Sequence, residues 1–113
     1  MAVTAASARR MILSLPETTA APHVEREAFR AGGRIFATLR SADGVLNVRL
    51  NPEEQAIMCA AEPGMFAPVA GGWGRIGFTT INLKAVTPKD LRSALTAAWR
   101  ESRNRPAKRG RRS

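Results

Sequence analysis

The sequence predicts an α+β fold in which an antiparallel sheet of about four to five strands carries three helices packed on one face. Three observations support that expectation. Two short extended runs flank Gly32-Gly33, the residue pair of a two-residue hairpin turn. Further runs at 34–40, 45–50 and 77–84 alternate with period two and are rich in β-branched residues. Apolar stripes at helical spacing lie before, between and after these runs.

Taken in order, Ala8, Met11, Ile12 and Leu15 form one stripe and predict a helix over 4–15, stopped by Pro16. Residues 17–27, rich in Thr, Pro and Glu, read as a loop. Runs 28–31 and 34–40 form the hairpin, and Ser-Ala-Asp-Gly turns the chain into the strand 45–50. Asn51 caps a second helix with Pro52 at its first position. Glu53 and Glu54 sit at the positive end of its dipole, and it ends near Ala61 before Pro63-Gly64. Met65–Ala70 is an edge strand at best, because Pro68 cannot donate to a ladder. After the strand 77–84, Thr87-Pro88-Lys89-Asp90 has capping-box spacing. Leu91, Leu95, Ala98 and Trp99 then continue a third helix to about Ser102. The domain is expected over 1–102, with a disordered basic tail over 103–113.

Alternation assigns two unlike faces to the sheet. Phe29, Ile35, Ala37, Leu39, Leu46, Val48, Leu50, Thr79, Ile81 and Leu83 are expected under the helices. The opposite face is expected to gather Arg30, Arg34, Arg40, Arg49 and Lys84, with Phe36 and Phe78 among them. Guanidinium groups neutralise phosphates and flat rings stack on unpaired bases, so this mixture suits nucleic acid. Arginines that merely solvate an exposed sheet face are the plainer alternative.

The net charge of +9 is unevenly spread. Residues 100–113 hold seven basic residues and one acid, and residues 1–99 hold eleven against eight. Arg103, Arg105, Lys108, Arg109, Arg111 and Arg112 therefore make the chain's end a basic arm, which implies polyanionic partners. One cysteine, Cys59, excludes an internal disulfide and suits a reducing cytoplasm. The apolar runs are too short for a membrane span, and the first residues lack the apolar core of a secretory signal, so the expected location is cytoplasmic with no membrane partner.

Gly72, Gly74 and Gly77 spell a G-x-G-x-x-G. A dinucleotide fingerprint needs a strand before, a helix after and an acid about 20 residues on. Here Gly77 runs straight into a strand, and the stretch around Ala97 has no acid. The glycines instead suit a turn that carries Trp73 to the sheet edge. His23 beside Glu25 and Glu27 is the sole imidazole, and no tyrosine or serine nucleophile elbow accompanies it, so no catalytic residue, metal or cofactor is expected.

With these elements in place, the sequence resembles the MmcQ/YjbR family of small bacterial proteins. The residues that carry the likeness are LPET (15–18), Pro22-His23, FRAGGRIFATL (29–39), LNPEEQ (50–55), PGMFAPV (63–69), GGWGRIGFTTINL (71–83) and AAWR (97–100). The resemblance covers about residues 9–102. It implies a fold similar to the frataxin-like CyaY arrangement and brings the family's DNA-binding label. Frataxin-like iron binding would want an acidic face, whereas this one is basic.

The expected function is non-enzymatic binding of nucleic acid, DNA in the first instance, through the basic sheet face and the tail, with Arg75 and Trp73 at the edge. The alternative is a protein-interaction or small anionic-ligand domain in which His23, Trp73 and Arg75 hold the partner. Short edge strands also allow a homo-oligomer formed through the sheet.

Overall fold

The computed structural model describes residues 3–23 and 25–104, with His23 described through its backbone alone. Its elements are α1 (Ala5–Leu13), β1 (Thr19–His23), β2 (Arg26–Ala31), β3 (Arg34–Arg40), β4 (Val45–Arg49), α2 (Pro52–Ala61), β5 (Phe66–Pro68), α3 (Gly72–Arg75), β6 (Phe78–Asn82) and α4 (Pro88–Asn104). The strands form one six-stranded sheet in the order β1-β2-β3-β4-β6-β5 with every neighbouring pair antiparallel. The α+β class is as expected, with one more strand and one more short helix.

Local chemistry explains where the helices begin. Thr4 Oγ1 accepts from the Ser7 amide at 3.0 Å, and Asn51 Oδ1 accepts from the Glu54 amide at 2.8 Å. Thr87 Oγ1 accepts from the Asp90 amide at 3.1 Å and donates to the Asp90 carboxylate at 3.0 Å, so the Asp version of the capping box works as a local pair. The Gly32-Gly33 turn has positive φ at both positions (64° and 80°), the requirement of the turn that joins two twisted strands tightly.

α4 lies along β2, β3 and β4, with α1 beside it. α2 packs against β5 and shares a cleft with α4. Beneath them Phe29, Phe36, Ala37, Leu39, Leu46, Val48 and Ile81 meet Ala8, Ile12, Leu91, Leu95 and Ala98 in a single core. Ser102 closes its far end by donating to the Ala31 and Arg34 carbonyls, which ties α4 to the β2–β3 hairpin. Trp99, on the apolar stripe of α4, is partly buried against this core, and its indole donates to the Pro16 carbonyl at 3.0 Å.

Three expectations are corrected. The first concerns residues 19–23, read as loop, which form an edge strand. TAAPH has no apolar alternation to announce it, and its order comes from backbone pairing with β2, the position where Pro22 is tolerated. The second correction concerns Phe36. It is fully buried in the core and does not stand on the basic face, whereas Ile35 faces outward. The cause is a bulge: Phe29 pairs with Ala37 and Arg30 with Ile35, leaving Phe36 as an extra residue in β3 that resets the alternation. The third concerns Lys84. β6 ends at Asn82, and Lys84 lies exposed in the following turn, its amide donating to Asn82 Oδ1 at 3.0 Å. α4 in turn runs to Asn104, so Arg103 belongs to a helix. Arg105, Lys108, Arg109, Arg111 and Arg112 lie outside the described residues.

Candidate functional site

The face opposite the helices is concave, and the sequence of its rungs explains why. Ala21, Ala28, Thr38, Asn47, Thr80 and Ala67 pair in one row across all six strands, and all six are small. A neighbouring row carries Arg30 opposite Ile35 and Arg49 opposite Phe78, with Val69 joined to Phe78 through its amide. Arg26 stands on the other side of the small row. Long side chains on both sides of a low floor leave a hollow of about 730 Å³. It is lined by Arg26, Arg30, Arg34 and Arg49 over polar Thr38 and Asn47 and apolar Ile35, Val69, Phe78 and Trp73.

Among the described residues no carboxylate lines this hollow. Glu101 stands just beyond it, in a small cleft with Arg34 and Arg49 behind the hairpin. Arg30 is exposed and makes no ion pair among the described residues. Arg26 places a buried Nη1 with no hydrogen-bond partner among them. A buried charged donor without an acceptor is costly. The Arg49 guanidinium lies 5.8 Å from the Phe78 ring centroid, where the negative face of the ring attracts its charge.

Trp73 forms one wall and remains 63% exposed. It meets Phe78 edge to face, with centroids 5.2 Å apart and planes at 79°. The glycines around it serve this placement. A Cβ at Gly74 would come within 1.8 Å of the Val69 carbonyl oxygen, and one at Gly77 would come as close to that of Leu50. Gly77 also has φ of 114°, which side-chain-bearing residues rarely adopt. The G-x-G-x-x-G is thus a close-packing device. Gln55, buried on α2, completes it, its Nε2 lying within 3.0–3.2 Å of the Gly74 carbonyl, the Phe78 carbonyl and Thr79 Oγ1.

Of the residues expected at the site, Arg30, Arg34, Arg49 and Trp73 converge on the hollow. Arg40 is engaged elsewhere, with Asp43 at 2.9 Å and Glu25 at 3.9 Å. Arg75 is exposed in α3 outside the lining. Arg103 pairs with Glu17 and lies over the Trp99 ring at 5.1 Å, on the helix side. His23 sits in edge strand β1 opposite Arg26, not in a loop, and Trp73 lies in α3 beside β6.

Sequence reasoning missed Arg26 and Gln55. Arg26, Ala28 and Arg30 alternate as a strand requires, but the reading began that strand at residue 28. Gln55 carries no local signal, since its partners lie 19 to 24 residues away. Burial pushes the Cys59 thiol above its ordinary range, the opposite of an activated nucleophile. Among the described residues no three His, Cys, Asp or Glu side chains gather where they could hold a metal ion, and no helix is long and apolar enough to cross a membrane.

Comparison with known proteins agrees with this architecture. No curated protein is a significant match to the sequence. The fold is similar to the crystal structure of Deinococcus radiodurans protein DR2400, which carries the DUF419 domain. The TM-score is 0.70 at 22% identity, over 85% of this chain and 75% of that one. The model of the YjbR family matches residues 13–101, which spans the strands, the hollow and nearly all of α4, and the chain therefore belongs to the YjbR family.

Proposed function

We propose that this protein binds nucleic acid, DNA in the first instance, without catalysing a reaction on it. The outer sheet face is the docking surface, and the basic segment after Asn104 adds sequence-independent attraction. The observation that carries this reading is the convergence of Arg26, Arg30, Arg34 and Arg49 with Trp73 and Phe78 in one hollow that no carboxylate lines among the described residues. Phosphate oxygens are the natural acceptors for such a set of guanidinium donors, and counterion release drives the association. The site also lies where the basic segment begins. A Cβ at Gly32, in the hairpin that rims the hollow, would come within 3.2 Å of the Arg103 Cα.

The test is fluorescence anisotropy with labelled DNA across a salt titration. Replacing Arg105, Lys108, Arg109, Arg111 and Arg112 with Gln in the full chain should flatten the log–log salt slope by up to roughly 4.5. Arg30→Ala should flatten it by about one further unit and weaken binding about tenfold. Binding indifferent to salt and to Arg26 and Arg30 would refute the proposal.

The size of the hollow favours a second reading, a small anionic ligand, since about 300–1,000 Å³ is usual for such sites. Saturation by one defined anion, with no dependence on polymer length, would select it.

A further inference from the structure

We infer that the hollow seats one unpaired nucleotide of a single-stranded nucleic acid, with its base against Trp73 and its phosphate between Arg26 and Arg30. This inference rests on the nucleic-acid reading and narrows it. Trp73 is the most informative side chain. An indole left 63% exposed is ordinarily a mobile liability, yet this one stands on a four-residue helix clamped from beneath. Gly74 is pressed on the Val69 backbone, and Gln55 reaches the Gly74 carbonyl at 3.0 Å. Phe78 meets the indole edge to face at 79° and does not stack parallel on it, so the geometry preserves an exposed aromatic surface beside the arginines.

Bases in a duplex are stacked on their neighbours and offer no free face to a protein aromatic, whereas an unpaired base does. Reading a duplex through its major groove calls for an element that projects into it. This face recedes. Arginines and a stacking ring that line one hollow, over a polar floor of Thr38 and Asn47, provide for one phosphate, one base and the polar edges of that base. Arg26 lines the hollow and keeps an Nη1 without a partner among the described residues, so its guanidinium has donor capacity that a phosphate oxygen would satisfy once the side chain turns toward it.

The experiment compares three labelled probes of equal length with the full chain at one salt concentration: an oligothymidylate, the same backbone without bases, and a duplex. The oligothymidylate should bind about tenfold more tightly than either of the others. It should also quench the Trp73 emission, identified by its loss in Trp73→Phe. Trp73→Ala should reduce the preference for the oligothymidylate over the base-free strand to near unity. Trp73→Phe should retain part of the preference. Equal binding of all three probes, still weakened by Arg30→Ala, would overturn the single-nucleotide inference and leave the wider proposal standing. Failure to bind any of them would overturn both.

Discussion

Ile35 and Phe36 are adjacent in the chain and end on opposite faces of one sheet, and the two faces differ in what they ask of their residues. The inner face is closed by α1, α2 and α4, and there Phe29, Phe36, Leu39, Leu46 and Val48 are excluded from water. Among the described residues no helical layer covers the outer face. Its middle row is small, its flanks are arginine, and its aromatic residues are graded from nearly buried Phe78 to exposed Trp73. Burial organises the first face and charge the second. The inner face therefore carries most of the stability, and the outer face carries the features a ligand would meet.

The contrast can be broken most sharply at the bulge. Phe36→Ala should cost about 3–5 kcal/mol, the usual price of an aromatic removed from a core, while Ile35→Ala should cost about 1 kcal/mol. Denaturant unfolding measures both, and equal losses would show that the two residues do not face opposite ways. Gly77→Ala tests whether the outer aromatic wall depends on backbone contact with Leu50. The added Cβ collides with a carbonyl at a φ that favours glycine, and about 2–4 kcal/mol should be lost.

Gln55→Ala is the next step down. It strips the Gly74 and Phe78 carbonyls of a shared donor and should cost about 1–3 kcal/mol. Amide exchange should then accelerate in 72–77 before it does in β3 or β4, and uniform acceleration would place Gln55 in the general core instead.

The smallest effect lies at the rim of the inner face, where Arg9 of α1 binds Glu27 of β2 with contacts of 2.7 and 2.9 Å. The hydrogen bond from Arg9 holds the Glu27 carboxyl below its ordinary value of 4.5. A carboxyl depressed on folding stabilises the protein above that ordinary value, and the contribution disappears as pH falls through the folded value. Melting temperature should therefore drop below about pH 4.5, slightly less steeply in Glu27→Gln than in the parent. Identical profiles would mean that the pair adds nothing.

Much of the fold was legible because its signals are local. The Asn51 and Thr87 caps, the Gly32-Gly33 turn and the stripe of α4 each act within about one turn of chain. Arg30, Arg34, Arg49 and Trp73 were legible as residues of the outer face for a similar reason, since strand alternation and a glycine-rich turn can be read directly. β1 was not legible, because TAAPH gains its order from β2 and not from its own side chains. Phe36 was misplaced because a bulge is a property of two strands in register, and alternation along one strand cannot reveal it.

By itself, then, the sequence determined an α+β chain with an antiparallel sheet, capped helices and an excess of arginine on one set of alternating positions. Those outcomes follow from period, turn chemistry and charge, which need no distant partner. Tertiary structure alone decided that six small residues would align into a floor, that Arg26 would join Arg30 beside it, and that Gly74 and Gly77 would be pressed against backbone to hold Trp73 upright. Each of these depends on residues far apart in the chain meeting in one register, and the register is set by packing against α4 and by the bulge at Phe36.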